Sequence, residues 1–453
     1  MITTVNPADG QTLAAYPTLP AREVGEALDW QGEAARGWAA ASVDERCAAL
    51  GRMATRLRAE KARLARLMAL EMGKPVAQGE AECEKCAWVC EYFAAAAPRL
   101  LAEQVIRAEG LNTRLVPEPV GIIFAIMPWN FPFWQFFRAT AGALAAGNAV
   151  VLKHAPNTTG CGLAIERLLA EAGMPAGVVQ TLVIDVDLAP VVIAHPAVRG
   201  VTLTGSGKAG AAVAAEAGRR LKKTVLELGG SDPYLVLDDA DIDLAARALA
   251  RSRLLNAGQV CIAAKRLIVV DAVREAFTKS LMDALQEWQL GDPLDSATTL
   301  GPMARMDLRD AVHDQVERSR QAGARLRLGG EVPRRPGSWY PVTLLDGVRP
   351  GMAAFDEEVF GPVAVIVPAR DEGEAIGLAN TSCYGLGGGV FTGDHERGQR
   401  VARALRVGAC AVNAVVQSDP RVPFGGVKDS GYGRELGDYG IQEFMTLKSI
   451  TTG

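Results

Sequence analysis

The chain has 453 residues, 49% of them hydrophobic and 22% charged, which is ordinary for a globular protein and enough for two or three domains with large cores. A formal net charge of −4 argues against a nucleic-acid partner and against binding to an anionic membrane. The opening residues Met1–Pro7 have neither a basic stretch nor an apolar core, and apolar runs such as 121–127 fall short of the ~18 residues of a membrane span, so a cytoplasmic location is expected.

In chain order, the first third reads as helical. Ser42 and Glu45 form a capping-box pattern. Leu50, Met53, Leu57, Leu64 and Leu67 then recur at helical spacing until Gly73 and Pro75. A second helix is expected over about 79–97. It carries Cys83, Cys86 and Cys90 on one face, where buried thiols are expected rather than a metal site, since no second cysteine pair or nearby histidine completes a tetrahedral set. The 8 cysteines are scattered, which fits free thiols in a reducing compartment, and the 4 histidines form no cluster.

Residues 101–120 are polar and extended. Beyond them, short β-rich runs alternate with helical stretches: 121–127, 148–153, 178–183, 200–204 and 223–228, then 265–271, 363–368, 388–392 and 409–413. Alternation of this kind predicts parallel sheets covered by helices, in two α/β domains. The boundary is expected near Gly229-Gly230, with the active site in the cleft between them. The C-terminal run 444–451 reads as a strand.

Three residues stand out chemically. Cys261 ends Asn256-Ala257-Gly258-Gln259-Val260-Cys261, where the glycine allows a ligand close to the backbone. Glu227 follows a strand and precedes Gly229-Gly230, placing a carboxylate at a strand's carboxyl end, where open α/β sheets bind ligands. A thiol that attacks a carbonyl and a carboxylate that activates water together suit thioester chemistry. Asn130, inside Pro128-Trp129-Asn130-Phe131-Pro132, is an amide in a rigid apolar turn and an oriented donor for an oxyanion. Gly205-Ser206-Gly207-Lys208-Ala209-Gly210, between a strand and a helix, matches a weak dinucleotide fingerprint.

These segments, with Glu357-Glu358-Val359-Phe360-Gly361-Pro362, Pro423-Phe424-Gly425-Gly426 and Ser430-Gly431-Tyr432-Gly433-Arg434-Glu435, resemble the aldehyde dehydrogenase superfamily in order and separation over essentially the whole chain. The resemblance implies an aldehyde dehydrogenase-like α/β fold: a dinucleotide-binding domain (1–100 and 121–229), a catalytic domain (230–430) and a β oligomerisation arm (101–120 and 431–453) that pairs between subunits of a homodimer or dimer-of-dimers tetramer. It implies catalytic roles for Cys261, Glu227 and Asn130, and NAD or NADP bound by Trp129, Lys153, Gly205, Ser206, Gly210, Glu358 and Phe360, with no metal. Many NAD-preferring members have Lys-Pro-Ser-Glu where this chain has Lys153-His154-Ala155-Pro156, so the carboxylate that would repel a 2′-phosphate is missing and NADP has room.

For the substrate, Arg138 stands where succinate-semialdehyde dehydrogenases carry arginine, on a segment with Trp134 that lines the tunnel by resemblance. A guanidinium there would pair bidentately with a carboxylate. The second arginine some of these enzymes carry is Leu255 here, and Ser418 is the compensating candidate, with Arg421 a further cation. The expected reaction is oxidation of succinate semialdehyde to succinate. The alternatives are another short aldehyde such as glutarate semialdehyde, a coenzyme A-acylating dehydrogenase, and a non-catalytic protein of the same fold.

Overall fold

The computed structural model describes residues 1–109 and 111–452. Gly110 and Gly453, which fall within the ranges expected for the arm, lie outside the described residues. The chain opens with a hairpin, Ile2–Val5 and Thr12–Tyr16, that the sequence reading does not contain. Helices Ala21–Ala40, Val43–Ala59, Lys61–Met72 and Val76–Leu100 follow. The Ser42–Glu45 capping box forms as expected, and Gly73 ends the third helix in a left-handed conformation with φ 79°. The leucine-rich stretch is two helices, broken at Glu60. No glycine or proline marks that break, so periodicity runs straight through it. Cys83, Cys86 and Cys90 are fully buried in the core shared with the helix Val43–Ala59.

Two sheets organise the rest. A six-stranded sheet has the order Gly431–Tyr432, Lys223–Glu227, Val198–Thr204, Ile122–Met127, Ala149–His154, Val179–Thr181, all parallel except the first. A seven-stranded sheet runs Arg325–Leu328, Thr343–Asp346, Val363–Ala369, Ala264–Val270, Asp232–Val236, Gly387–Phe391, Ala409–Val412, parallel except at Arg325–Leu328. Alternate residues of its central strands enter two separate cores: Leu235, Ile268 and Val365 one, Tyr234, Leu267 and Ile366 the other. Both faces are therefore covered, as a parallel sheet requires.

The chain crosses from one sheet to the other through Leu228–Ser231, between the strands Lys223–Glu227 and Asp232–Val236. A third sheet holds Met445–Thr451, Leu111–Pro119 and Gln104–Ala108, all antiparallel. The C-terminal strand thus pairs with residues 113–119 of its own chain. Residues 431–432, expected in the arm, instead extend the six-stranded sheet against Lys223–Glu227.

Candidate active site

The Cys261 loop is built on backbone that few residues tolerate. Asn256, Ala257 and Gly258 are all left-handed, with φ of 53°, 53° and 72°. Two such non-glycine residues in succession hold only where their surroundings fix them. Here buried side chains do so. The Arg253 guanidinium donates to the Gly258 carbonyl and, at 2.7 Å, to the Gly361 carbonyl. Gln259 bonds the Asn256 carbonyl at 3.0 Å and accepts from the Ala304 amide at 2.9 Å. A side chain on Gly258 would lie 2.1 Å from the Gly361 oxygen, so only glycine fits. Lys265 reaches back to the Val260 carbonyl, at 3.0 Å, and to that of Cys261. Cys261 itself is partly exposed. Burial raises its thiol pKa, while Arg138 and then Lys265 pull it back.

Asn130 meets this loop directly. Its side-chain amide donates to the Gln259 carbonyl at 2.9 Å, and its own carbonyl accepts from the Asn256 side chain at 2.7 Å and from Lys74 at 2.9 Å. One N–H of the amide is thereby oriented and the second remains for a ligand. Lys74 is paired with Glu82 in a fully buried ion pair. Glu82 also accepts from the Phe133 and Trp134 amides, both at 2.9 Å, anchoring the start of the helix Trp134–Ala145. His154 donates from Nε2 to the Pro132 carbonyl at 2.9 Å while Nδ1 accepts from the Ala155 amide. Burial pushes the His154 pKa down to about 4, so it is neutral and structural.

Glu227 ends its strand, its carbonyl accepting from the Gly205 amide at 3.0 Å. The residue is 2% exposed, and neither carboxyl oxygen has a hydrogen-bond partner among the described residues. Burial, and then the Glu435 carboxylate, raise its pKa well above the ordinary range, with Arg138 opposing. Arg138 also lies here, yet not as the free fork expected from the sequence. Its Nε donates to Glu435, Nη2 to the Thr204 hydroxyl at 3.3 Å, and its plane lies 4.6 Å from the Phe424 ring centre.

On the other side, Ser206 caps the helix Gly207–Arg219, accepting from the Ala209 amide at 3.3 Å. Little surrounds Gly205 and Gly207, whereas a side chain on Gly210 would come within 2.6 Å of Leu228 and displace it. Lys153, at the end of its strand, is buried and has no carboxylate within 4.0 Å among the described residues; burial lowers its pKa. Glu358 accepts from the Gly230 amide at 3.1 Å and pairs with Lys265 at 3.1 Å. Phe360 and Trp129 meet edge to face, 5.7 Å apart. Pro156 is exposed and starts a short turn. The arrangement fits a dinucleotide: a cation without a carboxylate partner, a helix N-terminus flanked by the open Gly205 and Gly207, and no acidic side chain at the 153–156 turn.

Trp134 shares one core with Phe424 and with Cys261 at its margin, so it abuts the surroundings of Cys261. Ser418 is buried and accepts a hydrogen bond from Lys85 at 2.9 Å. Arg421 is exposed and paired with Asp419 at 2.7 Å. Sequence reasoning missed Lys74, Glu82, Lys85, Arg253 and Lys265. All are charged residues that burial against the site makes important, and charge without a fold carries no sign of burial. Glu435 ends the segment Ser430–Glu435, in which the sequence alone gives it no role.

A family model described as the aldehyde dehydrogenase family matches residues 1–450. A succinate semialdehyde dehydrogenase of Escherichia coli (strain K12), named as using NAD(P)+, is 43% identical over 98% of this chain and 96% of its own length. A probable NADP+-dependent succinate-semialdehyde dehydrogenase of Synechocystis sp. is 43% identical over 99% of both chains. The crystal structure of succinic semialdehyde dehydrogenase from Streptococcus pyogenes in complex with NADP+ superposes with a TM-score of 0.97 at 36% identity, over 99% of each chain.

Proposed function

The chain belongs to the aldehyde dehydrogenase family, and from that premise we propose that it oxidises succinate semialdehyde to succinate with NAD or NADP as hydride acceptor. The single observation that carries the chemistry is the convergence of Asn130 on the Cys261 loop, with Glu227 buried and unpartnered in the same region. In this reading the Cys261 sulfur adds to the aldehyde carbon. The free N–H of Asn130 and the Cys261 backbone amide hold the oxygen that becomes negative, a type of contact worth about 3 kcal/mol of barrier. A nicotinamide dinucleotide would supply the acceptor for the hydride lost as the Cys261 thiohemiacetal becomes a thioester. Lys153, Glu358, Gly205, Ser206 and Gly210 would hold it, with Trp129 and Phe360 beside the ring.

Glu227 then accepts a proton from water, which attacks the thioester carbon. The carbon–sulfur bond breaks, the acid leaves, and the proton held by Glu227 returns to the Cys261 sulfur. A base that hydrolyses the thioester works against transfer to coenzyme A, so hydrolysis is the favoured outcome. Trp134 and Ser418 would border the substrate's far end. Arg138, engaged with Glu435, would act on the charge around Glu227 and Cys261.

The exposed apolar residues of the three-stranded sheet support a homodimer or a dimer-of-dimers tetramer. Val105 and Ile450 flank Arg114 on one face, and Ile106, Leu111 and Leu447 lie on the other. No helix of the described residues is long and apolar enough to cross a membrane.

The test is formation of reduced cofactor with a panel of aldehydes, with and without coenzyme A. Succinate semialdehyde should lead the panel, releasing acid without coenzyme A. Cys261→Ala should abolish turnover while cofactor affinity changes little; comparable turnover in that variant would sink the mechanism.

A further inference from the structure

Lys85 lies on the helix Val76–Leu100, one turn beyond Glu82. Because Glu82 anchors the Phe133 and Trp134 amides, the Trp134 ring is held under the Lys85 ammonium, with Nζ 4.4 Å from the ring centre. From the loop ahead of Pro420, the Ser418 hydroxyl accepts from Nζ at 2.9 Å. Among the described residues no carboxylate comes within 4.0 Å of this half-buried ammonium. The other cations of this region are engaged. Lys74 pairs with Glu82, Arg138 with Glu435, Lys265 with Glu358 and Arg421 with Asp419.

A half-buried cation with no counter-ion is unfavourable, and an ammonium that gives one hydrogen to a hydroxyl has two left to give. We propose that Lys85 is the residue that holds the distal carboxylate of the aldehyde substrate, its ammonium oriented by Ser418 and the face of Trp134. The assignment rests on the reading of succinate semialdehyde as substrate and deepens it. It moves the recognition charge from Arg138, whose fork is occupied, to a cation that is free to bind.

The environment of Lys85 gives a second readout. Burial first, and then the Arg138 charge on the facing helix, pull its pKa down to about 8; Glu82 and Cys86 on its own helix and Asp419 beside Ser418 act the other way. A substrate carboxylate binds the ammonium form. KM for succinate semialdehyde should therefore be flat below pH ~8 and rise above it as the lysine deprotonates.

The experiment measures kcat/KM for succinate semialdehyde and for butanal in the wild type, Lys85→Met and Lys85→Arg enzymes, across pH 6.5 to 9.5. Lys85→Met should lose about 100-fold with succinate semialdehyde, mostly in KM, and far less with butanal. Lys85→Arg should keep most of the discrimination and lose the alkaline rise in KM, since a guanidinium stays charged. Equal losses for both aldehydes in Lys85→Met, or a discrimination left intact, would overturn the Lys85 assignment alone. A wild-type enzyme with no preference for the carboxylate-bearing aldehyde would overturn the substrate reading and this assignment together.

Discussion

Glu227 combines two properties that seldom coexist: a side chain in a residue only 2% exposed, and a lack of hydrogen-bond partners for both carboxyl oxygens among the described residues. A buried carboxylate without hydrogen bonds is costly, so the group favours its protonated form and its pKa rises. In the role proposed for it, such a group accepts a proton readily once water enters. Glu227→Gln should therefore slow hydrolysis of the thioester far more than its formation. Stopped-flow mixing should show a burst of reduced cofactor followed by a steady rate lower by about 100-fold or more. In the wild type the hydrolytic rate should climb with pH through a limb above the usual carboxylate range, and that limb should vanish in the glutamine variant. A variant in which only the burst phase is slowed would instead assign Glu227 to the thiol. The same cluster explains Arg138. Removing a buried partner of Glu435 would leave that carboxylate uncompensated, so a defect at Arg138 would reach the site by way of the glutamates.

At the scale of elements, the strands bring side chains to the cleft and short turns aim them. The strand Asp232–Val236 begins at Asp232, which accepts from the Gly387 amide at 3.0 Å and so fixes where the neighbouring strand Gly387–Phe391 starts. Burial raises the Asp232 pKa from 3.8 to about 7, against the pull of Lys265. A folded value above the unfolded one means that the bound proton stabilises the fold fully below pH 3.8, and that this stabilisation is lost as the pH rises through about 7. Asp232→Asn keeps an acceptor for Gly387 and does not titrate. Its stability relative to wild type should rise between pH 4 and pH 8, by about 4 kcal/mol, as measured by urea unfolding at both pH values. A pH-independent difference would show that Asp232 ionises in the fold much as it does in the unfolded chain.

At the scale of the molecule, the crossing at Leu228–Ser231 joins the two sheets, and the C-terminal segment returns across it. Ser430 accepts from the Gly385 amide at 3.0 Å and donates to the Gly229 carbonyl at 2.6 Å, linking the crossing to both halves. The three-stranded sheet stands apart and exposes Val105 at 51%, Leu447 at 65% and Ile450 at 45%. Apolar side chains exposed on a sheet are a typical subunit contact. Replacing Val105 and Ile450 together by Asp should lower the solution mass measured by light scattering to that of a smaller species. The far-ultraviolet circular dichroism should remain, because neither residue belongs to the cores of the two parallel sheets. An unchanged mass would count against assembly through this face.

What the sequence determined by itself was local. Alternating apolar runs carried the strands that line both sheets, and glycine at positions 73 and 258 marked a helix end and a loop that is closely approached, although by the Gly361 carbonyl and not by a ligand. Cys261, Glu227 and Asn130 were legible because their neighbours are unusual: prolines, aromatics and glycines in fixed order. The short strands Asp232–Val236 and Thr343–Asp346 and the opening hairpin were not, since a few residues of apolar pattern do not separate a strand from its surroundings. Only the tertiary structure decided which charges are spent and which are free. Arg138 and Glu435 are far apart in the chain yet form one buried pair, while Lys85, on a helix read for its cysteines, faces Trp134 and Ser418 without a carboxylate. Pairing and desolvation are set by what folds against a residue from elsewhere, and a linear pattern holds no record of that.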